Sequence, residues 1–106
     1  MRITSSTTAT LALFVLASLP LGAVGNEQLV QKYGCTACHQ ADTKVVGPSW
    51  SSIRDKYKDG SETANQLAET IRSGSRKKWG PIEMPPQANV SESDAQIIAA
   101  WILGAK

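Results

Sequence analysis

The chain has 106 residues, 42% of them hydrophobic, and a formal net charge of +2 at pH 7. That is material for one small core, in a size range where chains usually need a staple or a cofactor. Eleven basic against nine acidic residues make no case for a nucleic-acid partner.

Met1-Arg2 carries one positive charge, and Leu11 to Val24 is dominated by apolar and small residues, broken by Ser18, Pro20 and Gly22. A basic start, a short apolar run and the small residues Ala23-Val24-Gly25 form the pattern of a secretory signal peptide. The run is too short and interrupted to act as a transmembrane anchor. Cleavage after Gly25 is expected, with Ala23 as the alternative, dividing the chain into a leader, 1–25, and a mature domain, 26–106. Loss of Arg2 brings the mature chain closer to neutrality.

Asn26 to Gly34 reads as a short helix, with Asn26 as N-cap, Glu27 in its first turn and Leu29, Val30 and Tyr33 along one face. Gly34 is its natural end. Cys35-Thr36-Ala37-Cys38-His39 follows. These are the only two cysteines and the only histidine in the sequence. C-x-x-C-H is the attachment signature of a c-type haem. Each thiol can add across one haem vinyl group, and the histidine is held where an imidazole nitrogen can take an axial position on iron. A structural zinc site lacks its other ligands within the chain. A thioredoxin-like pair would need a βαβ context. A disulfide across two residues would close too short a loop to stabilise much.

Ala41 to Pro48 is expected to be loop. Pro48 has no N–H but a free carbonyl, a candidate to accept the second ring N–H of a ligating histidine. Ser51 or Ser52 is expected to cap a helix through about Lys58, with Ile53 and Tyr57 inward and Asp59-Gly60 ending it. Ser61 to Arg72 reads as a second amphipathic helix, with Ser61, Asn65 and Gln66 as polar caps, Leu67 and Ile71 buried, and Gly74 as its stop. Ala95 to Leu103 is the strongest helix. Ser91 or Ser93 caps it, Asp94 lies in its first turn, Ile97, Ile98, Trp101 and Ile102 form its apolar face, and Gly104 closes it. No stretch alternates like a strand.

Arg76 to Val90 contains Trp79-Gly80-Pro81-Ile82-Glu83-Met84-Pro85-Pro86-Gln87, where three prolines and a glycine forbid helix. Pro85 holds Met84 extended and Pro86 does the same to Pro85. A stiff loop of this kind suits a thioether that must sit at one point. Met84 is the only methionine left once the leader is removed.

In combination, C-x-x-C-H, then G-P, then W-G-P-x-x-M-P-P, then a C-terminal helix with Trp, resembles the small bacterial class I cytochromes c of the c-551/c-552 type. The resemblance runs over essentially all of residues 26–106. It implies an all-α fold, about four helices wrapped around one covalently attached haem c with one edge exposed. It implies thioethers at Cys35 and Cys38, with His39 and Met84 as the two axial iron ligands. It also implies that Pro48 accepts from the His39 ring and that Trp79 lies against a haem propionate. Gln87 would act as an amide near the methionine sulfur, and Val30 and Trp101 would pack the first and last helices together. One departure stands out: members often carry a basic residue just before the position of Ile71, where this chain has Thr70. Arg72 and Arg76 are the candidate replacements.

With both axial positions filled by protein, the remaining chemistry is outer-sphere electron transfer. The expectation is a non-enzymatic, monomeric, periplasmic one-electron carrier between respiratory complexes and a terminal oxidase or reductase, without a stable membrane anchor. Its contacts with redox partners would be transient, helped by Lys44, Lys77 and Lys78, which the resemblance places near the haem crevice. A haem enzyme or ligand sensor with a labile Met84 is the runner-up, and a haem module docked on a larger oxidoreductase the third reading.

Overall fold

Four α-helices and one 3-10 turn follow one another in the computed structural model, which describes residues 3, 10–15 and 21–104. They are α1 (Leu21–Lys32), the 3-10 turn Cys35–Ala37, α2 (Trp50–Tyr57), α3 (Ala64–Ser73) and α4 (Glu92–Ile102). Among the described residues the only β-type pairing is two isolated antiparallel bridges, His39 with Lys44 and Ser75 with Met84. Most of the expected leader lies outside the described residues. Its last five positions, 21–25, belong to α1, so Asn26 lies inside that helix and is not its N-cap. No helix among the described residues is long and apolar enough to cross a membrane.

The caps differ from expectation in an instructive way. Helix α2 is capped by Ser49, whose hydroxyl accepts from the Ser52 N–H at 3.1 Å, and not by Ser51 or Ser52. Ser49 is the serine that follows Pro48, and its extended backbone is the conformation an N-cap needs. Helix α3 begins three residues later than expected. Thr63 and Gln66 form a reciprocal capping box, each side chain bonding the other's backbone N–H, whereas Ser61 bonds back to Asp59. Ser91 caps α4, as expected, accepting from the Asp94 N–H at 3.1 Å. Gly34 and Gly74 end α1 and α3 at positive φ, 71° and 78°, where a side chain would be strained.

Helix α4 is the common wall. It packs most extensively on α3 and also meets α1 and α2. Its buried positions, Ala95, Ala99, Ile98 and Ile102, follow the i, i+3, i+4, i+7 stripe of an amphipathic helix. The two alanines, both fully buried, let neighbouring elements approach closely. Ile97 falls outside the stripe and is exposed, a correction to the expected apolar face. Burying a side chain such as Ile98 stabilises the fold by about 1.5–3 kcal/mol. Val30 of α1, Ile53 and Tyr57 of α2, and Leu67 and Ile71 of α3 complete the core with Val90.

Helix α1 is fastened to α4 by Tyr33, whose hydroxyl donates to the Asp94 carboxylate at 2.5 Å. A partly buried hydrogen bond to a charged acceptor contributes about 1.5–3 kcal/mol. Tyr33→Phe is therefore expected to lower the unfolding free energy by about 1–2 kcal/mol, measured by denaturant titration.

Candidate functional site

The 3-10 turn that carries the cysteines is set by Gly34 and by two backbone bonds. Cys38 and His39 both donate to the Cys35 carbonyl, at 3.1 and 3.0 Å. This tight turn puts both thiols and the imidazole beside one cavity. The two thiols are not joined to each other. Burial pushes the Cys35 thiol above its usual range, and the charge of Cys38 adds to this against an opposing backbone hydrogen bond. A redox-active C-x-x-C pair would instead show a depressed thiol.

His39 is buried and its ring is held on two sides. Its Nδ1 lies 2.7 Å from the Pro48 carbonyl oxygen. A carbonyl can only accept, so Nδ1 carries the proton and Nε2 presents its lone pair. The ring stacks on Trp50, with centroids 4.7 Å apart and planes 24° from parallel, and Trp50 in turn meets the edge of Trp101 at 5.7 Å. Nothing in the periodicity marked Trp50, because it opens a helix directly after a proline loop. Trp101 reaches the site through this edge contact and is only partly buried. Gly47 closes the loop by donating to the Cys38 carbonyl at 2.8 Å, and a Cβ at Gly47 would stand 2.6 Å from His39 Cε1.

Met84 is fixed through its backbone. It exchanges two hydrogen bonds with Ser75, both 3.0 Å, and the Gln87 N–H donates to the Ile71 carbonyl at 3.1 Å. A Cβ at Gly74 would come within 2.6 Å of the Met84 carbonyl, so the close approach of α3's end to this loop needs glycine there. The side-chain amide of Gln87 donates to the Pro85 carbonyl at 3.0 Å and stiffens the proline corner.

Cys35, Cys38, His39, Pro48, Trp79, Met84 and Gln87, all singled out in the sequence, line one cavity of about 370 Å³. Its remaining wall is largely apolar, with Ile53, Leu67, Ile71, Ile98 and Ile102. Two thiols three residues apart, an imidazole with Nε2 available and a thioether on a separate rigid loop are the donor set that a c-type haem takes. Arg72 and Arg76 do not line the cavity: Arg72 donates to the Val90 carbonyl and Arg76 pairs with Glu83 at the surface.

Residues 25–106 match the family model for cytochrome c. The chain belongs to the cytochrome c family. Among its relatives is the cytochrome c-552 of Nitrosomonas europaea, 45% identical over 101 residues, covering 93% of this chain and 98% of that protein. The cytochrome c-551 of Pseudomonas aeruginosa is 44% identical over 80 residues, 76% of each chain. The crystal structure of wild-type Nitrosomonas europaea cytochrome c552 superposes with a TM-score of 0.71 at 49% identity, covering 76% of this chain and 99% of that one. This is a small class I cytochrome c of the c-551/c-552 type, all-α, with one covalently bound haem c.

In this cytochrome, Gly47 leaves the imidazole no room to shift. Gly47→Ala is expected to push the His39 ring off the Pro48 carbonyl and to destabilise the holoprotein by about 1–3 kcal/mol. A fall in thermal midpoint together with a changed Soret band would register both effects.

Proposed function

We propose that this cytochrome is a periplasmic one-electron carrier in which His39 and Met84 are the two axial ligands of haem iron. The observation that carries the reading is the pair of rigid mounts on one cavity. His39 has Nδ1 engaged by Pro48 and Nε2 available, and Met84 is clamped through its backbone to Ser75. Bound haem supplies the Fe(III)/Fe(II) couple. The chain's own residues fix the ligands, exclude water through the apolar wall and keep the ligand positions alike in both oxidation states. A proton held on Nδ1 makes the imidazole the stronger donor, and a thioether favours the ferrous state and raises the potential. Cys35 and Cys38 anchor the macrocycle. Were His39 and Met84 both to hold the iron, it would have no place for a substrate, which favours a carrier over an enzyme.

The apolar run before Ala23-Val24-Gly25 supports export, with the leader at 1–25 and the carrier at 26–106. Donor and acceptor would be respiratory redox proteins that this monomer meets transiently, through interfaces below about 1,200 Å². Lys44 and Lys77 are exposed, as are Val46 and Ile82, which line the cavity. Lys78, expected to share this steering role, is instead engaged by Glu62.

Met84→Ala is expected to open the sixth position, lower the midpoint potential and allow rapid carbon monoxide binding to the reduced protein. The wild type should bind it slowly and show a weak near-red charge-transfer band when oxidised. Rapid binding by the wild type, or an unchanged potential in Met84→Ala, would remove Met84 as ligand and put a haem enzyme or sensor first. Replacing Lys44 and Lys77 by Gln should slow association with an acidic redox partner at low salt about tenfold and flatten its salt dependence, as read by stopped-flow.

A further inference from the structure

Thr70 lines the cavity, and the two arginines nearest to it in sequence are engaged elsewhere, Arg72 with the Val90 carbonyl and Arg76 with Glu83. Beside Thr70, Tyr57, Lys78 and Trp79 line the cavity and share a polar cluster with Glu62 and Lys56, which do not line it. Glu62, from the turn before α3, is buried and binds Lys78 with both oxygens, at 2.8 and 2.7 Å. The Thr70 hydroxyl lies 3.3 Å from the same carboxylate and 3.2 Å from the Gln66 carbonyl, with one hydrogen to share between them. Tyr57, at the end of α2, has its Nearest cation Lys78 with Nζ 5.7 Å from the ring centroid, and the edge of its ring meets Trp79 at 6.2 Å. Lys56 adds a second cation, with Nζ 4.3 Å from the Trp79 ring centroid and 5.8 Å from that of Tyr57.

Two features of this cluster are unfinished. The Tyr57 hydroxyl is buried without a hydrogen-bond partner among the described residues, an arrangement that costs about 1–3 kcal/mol unless something accepts from it. The local charge is also unbalanced, with Lys56 and Lys78 against Glu62. A phenol donor and one excess positive charge on the wall of a haem cavity suit one carboxylate. Haem c carries two such groups, its propionates. We infer that Tyr57 and Lys78, the latter positioned by Glu62, form the cradle of one haem propionate. The inference rests on the haem-carrier reading above. Burial, and then the Glu62 carboxylate, push the Tyr57 hydroxyl pKa up against the opposing effect of Lys78, so it remains a donor. Partial burial disfavours the charge on Lys78, but its hydrogen bond and charge pairing with Glu62 outweigh this and raise its pKa.

The groups facing the cradle are Tyr57 and Lys56 from α2, Glu62 from the turn, the neutral Thr70 from α3, and Lys78 and Trp79 from the loop. Lys44 and Glu83 are the other acidic or lysine groups lining the cavity. Ionisation of a propionate places a negative charge near iron, favours Fe(III) and lowers the potential as pH rises. A donor to the carboxylate moves that step to lower pH, and a neighbouring anion moves it to higher pH.

The test is the midpoint potential of the holoprotein between pH 4 and 9, with the low-spin spectrum recorded at each point. In Tyr57→Phe the pH-dependent step should move up by about one unit, and in Glu62→Gln, which frees Lys78, down by a similar amount. A step in the same place in both variants as in the wild type overturns the cradle, even where thermal stability falls, because that is what a purely structural role would give. Should Tyr57→Phe fail to retain haem, Glu62→Gln decides by the same criterion. Loss of the low-spin spectrum in the wild type would instead count against the His39–Met84 pair, so the two readings fail separately.

Discussion

The hydrogen bond from His39 Nδ1 to the Pro48 carbonyl ties the local chemistry to the fold. In the neutral ring it assigns the tautomer, leaving Nε2 as the nitrogen with a free lone pair. It also sets where α2 begins. Pro48 is reached by a loop that Gly47 closes on Cys38, and the next backbone bonds, Trp50 to Gln40 and Ser51 to Ala41, launch the helix from the same loop. Trp50 then lies flat against the ring it follows. Imidazole orientation and placement of α2 are therefore one constraint. Ile53 and Tyr57 reach the cavity because that constraint is met.

Around this anchor the core is a shell. The buried residues of α2, α3 and α4 meet one another on one side and border the cavity on the other. A chain of this size buries too little apolar surface for a generous margin of stability. A covalently held macrocycle in the cavity would complete the core by offering Ile53, Leu67, Ile71 and Ile98, which line it, a common surface to pack against. Cofactor and hydrophobic core are thus parts of one packing problem. The buried polar residues among those described, His39, Ser49 and Glu62, each have a partner: the Pro48 carbonyl, the cap of α2 and Lys78.

Much of this was legible in the residues. Leu67, Ile71, Ile98 and Ile102 sit at helical spacing, and all are buried. Gly34 and Gly74 stop the helices they were expected to stop. The C-x-x-C-H turn, Pro48 and the Met84 loop announced themselves by residue type, and they line one cavity. The failures have physical causes. Ser49, Ser51 and Ser52 each satisfy the chemistry of a cap, and only the loop entering from Pro48 selects Ser49. The apolar run before Asn26 can continue as helix, so the polar residue did not mark a start. Ala95 and Ala99 are too small to stand out in an apolar count, yet they define the packed face that leaves Ile97 outside. Glu62 and Lys78 are sixteen residues apart, and nothing local in either stretch signals that they meet.

The paired hydrogen bonds between Ser75 and Met84 have an evolutionary consequence. They close residues 76–83 into a loop that leaves and returns at one point, its two ends held by backbone atoms and by the Arg76–Glu83 pair. Any sequence that can span that gap keeps Met84 where it is. Positions of the stretch that face neither the cavity nor Glu62, such as Lys77, can therefore change under selection for different docking surfaces, while the thioether inherits the same address from one generation to the next.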